Sequence, residues 1–232
     1  MEKSYFGNLY LVATPIGNLD DTTFRAIKIL KEVNEIICES TDKAKILFSH
    51  YQIEKPLIHL SDENQLTIIP KILNKLLSGK NLALISDAGT PIISDPGFFL
   101  VKQAIKKGIK IIPIPGPSSI LTALIASGLP TQPFLFFGFL PKKPREKRKI
   151  FEELFSLKIQ KEKPTIVFFE SPQRLVETLE IITQINPNTQ ISIAREMTKV
   201  FEEFIRGRIS EVLKSLKERK EIKGEITVTL SF

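Results

Sequence analysis

The sequence predicts an α/β protein of two domains, and three observations carry that reading. In the first half of the 232 residues, short apolar runs alternate with stretches of helical periodicity, the pattern of strands joined by crossover helices into a mostly parallel sheet with helices on both faces. Loops holding both glycine and proline follow three of those runs, at the strand ends where open α/β sheets bind ligands. After Gly116 strands outnumber helices, which predicts an α+β domain around a mixed sheet. The domains are placed at 1–116 and 117–232, sizes within the ordinary range for a domain.

Each element follows from its residues. Leu9 to Ala13 reads as a buried strand ending at Thr14-Pro15, and Thr22 to Glu32 carries apolar residues near helical spacing behind Asp20, Asp21 or Thr22 as caps. Glu35–Cys38 is a strand, 41–51 a helix, 57–60 a short strand and 65–77 a helix. Leu82 to Ser86 is a strand running into a long loop, with a helix over 97–107 and a strand over 110–113. In the second half, 118–127 reads as a small-residue helix, 134–137 as a strand and 141–149 as a basic, proline-containing connector. Strands at 165–169, 191–194, 201–206 and 225–230 are separated by helices at 173–184 and 209–217.

Composition bounds the class. Apolar residues make up 42% and charged residues 25%, as in soluble globular proteins, and the one cysteine, Cys38, excludes an intrachain disulfide. The start, Met1 to Gly7, lacks the basic-then-apolar layout of a secretory signal, and the apolar stretch Phe134–Leu140 is too short to span a bilayer. A cytoplasmic, soluble protein is expected, with no membrane partner. Lys and Arg total 33 against 26 acidic residues, a net +7. That excess favours anionic partners, nucleic acid first, although a merely solvated basic surface gives the same count.

No G-x-G and no G-x-x-x-x-G-K-[ST] occurs, so neither nucleotide fingerprint is present. The two histidines, His50 and His59, join no Cys/His cluster, so no metal site and no Ser-His-Asp triad is expected. What stands out are three loops: Ala13-Thr14-Pro15-Ile16-Gly17-Asn18-Leu19, the stretch from Ser86-Asp87-Ala88-Gly89-Thr90-Pro91 through Ser94-Asp95-Pro96-Gly97, and Pro113-Ile114-Pro115-Gly116-Pro117-Ser118-Ser119. Glycine permits close backbone approach to a ligand, and proline fixes the turn. Any one of them reads equally well as a tight turn; three on one sheet edge point to a binding site.

Those loops, with Gly138-Phe139-Leu140-Pro141, Glu170-Ser171-Pro172-Gln173-Arg174, Ala194-Arg195-Glu196-Met197-Thr198-Lys199 and Gly224-Glu225, resemble the tetrapyrrole-methylase superfamily over nearly the whole chain. Within it the chain most resembles the ribosomal RNA small-subunit methyltransferase I family. The resemblance implies a two-domain tetrapyrrole-methylase-like fold, S-adenosylmethionine as methyl donor in a cleft between the domains, and a homodimer. It also implies methylation of a ribose 2′-hydroxyl, on a cytidine of 16S rRNA or the small ribosomal subunit. A tetrapyrrole, another small molecule or a protein is the alternative acceptor. By the same analogy Pro15 lines the pocket floor, Asp87, Ala88, Gly89 and Pro91 wrap the donor, Ser118 and Ser119 touch it, and Phe169 or Glu170, with Ala194, close it. The residues themselves agree: backbone polar groups with apolar walls suit a nucleoside bearing a carboxylate, an ammonium and a sulfonium.

For the acceptor, Glu170, Arg174, Arg195, Glu196 and Lys199 follow two apolar strands. Glu170 or Glu196 can take the hydroxyl proton; Arg174, Arg195 or Lys199 can hold phosphate or a developing oxyanion. Arg195 and Glu196 can equally form structural ion pairs. The run Lys142-Lys143-Pro144-Arg145-Glu146-Lys147-Arg148-Lys149 has six basic residues in eight, an electrostatic footprint for an RNA backbone. Phe136, Phe137 and Phe139 precede it. Phe136 and Phe137 are expected in the core, although phenyl rings there can also stack on splayed bases.

Overall fold

The structure, a computed structural model, describes residues 6–159 and 163–232. Met1 to Tyr5, read above for their charge layout, lie outside the described residues. The chain divides into two compact units, Met1–Ser118 and Ser119–Phe232.

The N-terminal unit is a five-stranded sheet in the order β3-β2-β4-β1-β5, with β1 at Leu9–Val12, β2 at Glu35–Cys38, β3 at Leu57–His59, β4 at Leu82–Ile85 and β5 at Ile111–Ile114. Every pairing is parallel. Parallel strands need helices on both faces, so their sequences are apolar on both sides, and all four residues of β2 and of β4 are buried. Alternation sorts them. Ile36, Cys38, Ala83 and Ile85 face α1 (Phe24–Glu32) and α2 (Thr41–Tyr51), while Ile37, Leu82 and Leu84 face α3 (Gln65–Leu77) and α4 (Phe98–Lys106). Thr23 and Ser40 start α1 and α2 by accepting from the N–H of Ala26 and Lys43, the bond that satisfies an orphan donor at a helix start.

The C-terminal unit is a second five-stranded sheet, order β6-β7-β10-β8-β9, with β6 at Phe134–Phe139, β7 at Thr165–Glu170, β8 at Gln190–Arg195, β9 at Glu203–Arg208 and β10 at Ile226–Ser231. Among the described residues only the β6–β7 pair is parallel here, and its register slips between Phe136 and Gly138. One face carries the core of Ile166, Phe168, Ile191, Ile193, Ile226 and Val228 with helices α6 (Pro144–Ser156), α7 (Pro172–Ile185) and α8 (Ile209–Lys217). Helix α5 (Ser119–Ala126) packs on β7, β8 and β10 without joining that core, so it covers the opposite face.

The connector expected at 141–149 is corrected: from Pro144 it is helix. Proline at the first helical position loses only an N–H that would have had no partner, and Lys147, Phe151 and Leu154 recur on the buried side. Reading Lys147 as a solvent residue hid that period. Phe137, expected in the core, is 38% exposed because the register slip turns it out of the ladder, and Phe139 is 59% exposed.

Candidate functional site

Strands β4, β1 and β5 are neighbours, so the three glycine/proline loops leave from adjacent strand ends. Thr14 and Gly89 form an isolated antiparallel bridge, each N–H donating to the other's carbonyl at 2.9 and 3.0 Å. The Thr14 hydroxyl also donates to the Ser86 carbonyl at 3.0 Å, and the Thr90 hydroxyl to the Pro117 carbonyl at 3.2 Å. Gly89 sits at φ +82°; a Cβ built there would lie 3.2 Å from Ile16 Cγ2 and 3.7 Å from the Pro117 oxygen. A single glycine is thus approached by the first and third loops together, and any side chain would occupy the space where they meet. Gly116 is similarly tight, its built Cβ 3.0 Å from Ala13 Cβ. Ile92 and Ser94 adopt left-handed backbone at φ 76° and 67°, unusual for non-glycine residues and concentrated at binding sites.

The carboxylates of this edge are already oriented. Asp87 Oδ1 accepts from the Ser40 N–H at 2.9 Å and Oδ2 lies 3.1 Å from Lys43 Nζ. A carboxylate offers about four acceptor sites, so these bonds aim Asp87 without exhausting it. Sequence reading missed Ser40 and Lys43; the signal was the cap position of Ser40 at the end of the neighbouring strand. It also passed over Asp95, whose carboxylate accepts from the Ser86 hydroxyl. Burial pushes the Asp95 carboxyl up, with Asp87 adding to the rise and Ser86 and Lys43 opposing it. Burial, Asp87 and Asp95 likewise raise Glu39.

In the C-terminal unit two rows of cross-strand partners carry the remaining residues. Phe169, Thr227, Ala194 and Phe204 align across β7, β10, β8 and β9, and Glu170, Ile226, Arg195 and Glu203 form the next row. Adjacent rows point to opposite faces. Phe169 and Ala194 therefore share a face, the one covered by α5, and the Phe169 ring contacts those of Phe136 and Phe139 at centroid distances of 5.0 and 5.2 Å. Glu170 and Arg195 share the other.

Glu170 is enclosed by partners of its own and is withdrawn from the proton-accepting role. Its side chain is fully buried: Oε1 accepts from the Ser171 N–H and pairs with Arg174, both at 2.8 Å, while Oε2 accepts from the Thr178 hydroxyl at 2.7 Å and lies 3.7 Å from Lys147 Nζ. Lys147 is also removed from the RNA-binding set. It is 0% exposed and donates to Glu177 at 2.8 Å and Thr178 at 2.9 Å. Arg174 ties the hub to the end of β6 through the Leu140 carbonyl at 3.3 Å. From the basic run, Lys142, Lys143, Arg145 and Lys149 are exposed and Arg148, half-buried, donates to Gln184.

Arg195, Glu196 and Lys199 all stand in ion pairs. Arg195 Nε bonds Glu203 at 3.0 Å, and Glu203 takes a fork from Arg219 at 2.8 and 2.6 Å. The Arg219 bond, helped by Arg195 against burial, holds the Glu203 carboxyl down at about 2. Glu196 accepts from Lys199 and from the Glu225 N–H, both at 2.8 Å, and the two bonds lower its pKa. Burial works against the Lys199 charge, but its bonds to Glu196 and Glu225 outweigh it and the pKa is raised. Glu203 and Arg219 had no motif to mark them; strand register sets Glu203 beside Arg195, and Arg219 reaches it from just beyond the end of α8. Among the described residues no group of three or more Cys, His, Asp and Glu is placed to hold a metal ion, and no helix is long and apolar enough to cross a membrane.

Residues 8–213 match the family model for tetrapyrrole (corrin/porphyrin) methylases. A ribosomal RNA small subunit methyltransferase I of Hydrogenobaculum sp. is 48% identical over 96% of this chain and 95% of its own. The Bacillus subtilis protein of the same name is 48% identical over 98% of this chain and 76% of its own. Among solved structures, uroporphyrin-III C-methyltransferase from Thermus thermophilus complexed with S-adenyl homocysteine superposes with a TM-score of 0.61 at 18% identity, covering 97% of each chain.

Proposed function

The chain belongs to the tetrapyrrole methylase family, and from that premise we propose that it is an S-adenosylmethionine-dependent methyltransferase of small-subunit ribosomal RNA. The acceptor we assign is the ribose 2′-hydroxyl of a cytidine in 16S rRNA. The observation that carries the reading is the meeting of the three loops at Gly89. Backbone amides, hydroxyls and an oriented carboxylate lie among apolar side chains, a donor set that fits a sulfonium nucleoside. The relatives' name supports small-subunit ribosomal RNA as the acceptor molecule, and the net charge of +7 suits an anionic one.

In this reading Pro15, Asp87, Ala88, Gly89, Pro91 and Ser118 hold the donor. When bound, S-adenosylmethionine supplies an electrophilic methyl group. The protein's share is position and electrostatics. As the acceptor oxygen gains the methyl group it becomes strongly acidic, so a carboxylate that stays ionised is base enough to take its proton. Glu196, kept ionised by Lys199 and the Glu225 N–H, is the carboxylate we assign to that step, with Arg195 and Lys199 fixing its surroundings. Lys142, Lys143, Arg145, Arg148 and Lys149 meet phosphates. Arg174, bound to Glu170 and Ser171 Oγ, acts as a positioning residue. We place the enzyme in the cytoplasm as a homodimer.

The test incubates the purified protein and methyl-labelled S-adenosylmethionine with small ribosomal subunits, naked 16S rRNA or uroporphyrinogen. Label in rRNA, mapped to a cytidine ribose, is the expected result. Label in uroporphyrinogen alone overturns the acceptor, and absence of donor binding by calorimetry overturns the enzyme. Light scattering checks the dimer.

A further inference from the structure

The turn between β8 and β9 is built stiffly around two residues that have nothing to do inside the protein. Glu196 and Thr198, neither a glycine, take left-handed backbone at φ 52° and 66°, a conformation L side chains disfavour and which persists only where neighbours impose it. The Glu196 side chain imposes it here through Lys199 and the Glu225 N–H, and it packs so close to Gly224 that a Cβ there would lie 2.4 Å from Glu196 Cγ. The Thr198 N–H donates to Glu202 at 2.6 Å, and backbone bonds from Lys199 to Glu196 and from Glu202 to Lys199 close the turn. On this pedestal Val200 is 94% and Phe201 72% exposed.

We propose that Val200 and Phe201 form a wedge that enters the acceptor RNA and stacks against a base beside the nucleotide being methylated. This rests on the rRNA reading above. Sequence-specific RNA recognition targets unstacked nucleotides of loops and bulges, whose base faces are open to aromatic side chains. An aromatic ring matches such a face in size and needs no sequence. Around the tip Lys199 stands against Glu196, Glu202 and Glu225, one positive charge against three negative, a balance that repels phosphate and leaves the apolar pair as the part of the turn suited to a base face. Two side chains alone are far smaller than the roughly 800 Å² per partner of a stable protein interface, which favours a base over a second copy of the chain.

Phe201→Ser, Val200→Ser/Phe201→Ser and Phe201→Trp separate the outcomes. With small ribosomal subunits as substrate, the serine variants are expected to lose about tenfold or more in kcat/KM, in line with one base–aromatic stack. Phe201→Trp should retain most of the activity. Affinity for S-adenosylmethionine by calorimetry and mass by light scattering should match the parent. Unchanged kcat/KM in the serine variants overturns the wedge, and so does a fall in mass, which would make the tip a subunit contact. If the parent protein methylates no RNA at all, the acceptor assignment fails first and the wedge falls with it.

Discussion

The two sheets hold their functional edges by different means. At the N-terminal edge the loops are joined by backbone bridges, hydroxyl bonds and the missing side chain of Gly89. In the C-terminal sheet the corresponding positions are fixed by ions: the buried hub of Lys147, Glu170 and Arg174, and the cluster of Arg195, Glu203 and Arg219. The first arrangement depends mainly on shape; the second depends on charge and tolerates little loss of a partner. Substitutions that change volume should therefore injure the N-terminal edge, and those that change charge the C-terminal sheet.

The sharpest way to break that contrast is at Lys147. Lys147→Ala leaves the buried Glu170 with Arg174 as its cation and empties a fully buried position, and the loss expected when a long buried side chain is cut to alanine is about 2–5 kcal/mol, read by denaturant unfolding. Lys147→Met combined with Glu170→Gln should recover part of it; a loss under about 1 kcal/mol in the single variant, the scale of an exposed pair, would mean that the hub is not what holds the sheet. Next in size is Gly89→Ala. Left-handed backbone costs an alanine about 1–2 kcal/mol, and the methyl would press on Ile16, so donor affinity should fall about tenfold or more while RNA binding holds; equal donor affinity would remove shape as the N-terminal principle. Replacing Lys142, Lys143, Arg145 and Lys149 together by serine should leave folding and donor binding unchanged. It should weaken rRNA binding and flatten its salt dependence by roughly 0.7–0.9 in slope for each phosphate no longer neutralised. Lys147 is excluded from that set because it sees no solvent. The smallest effect is acid sensitivity at Glu203. Its folded pKa is about 2 against an ordinary 4.5, so its contribution is complete above about 4.5 and is lost as pH falls toward 2. The stability difference between the parent and Glu203→Gln should shrink across that window and be constant above it.

Much of the N-terminal unit was legible because its period is clean. The four apolar residues of β4 and the helix at 41–51 announce themselves, and parallel strands buried on both faces give continuous apolar runs. The meeting of the three loops was legible only as an expectation, since adjacency of β4, β1 and β5 comes from sheet order and no local pattern encodes it. In the C-terminal unit α6 was hidden by a lysine on its buried side. A cation satisfied by Glu177, Thr178 and Glu170 is indistinguishable in sequence from one facing water, because each partner lies more than twenty residues along the chain. For the same reason Glu170 read as a reactive carboxylate, whereas Thr178 and Lys147 close around it. Glu203 and Arg219 carried no signal at all.

The register slip in β6 reaches beyond Phe137. Phe134–Phe139 is a six-residue apolar run, uncharged and free of proline, at the outer rim of its sheet, the composition from which intermolecular β-stacks grow. A straight strand there would offer a continuous ladder of N–H and C=O groups to another molecule. The irregularity interrupts that ladder midway, so a second strand cannot dock along its full length. One surplus residue in the backbone thus breaks this phenylalanine-rich rim as a docking edge, and shortening the strand by that residue should turn a quiet border into a template for aggregation.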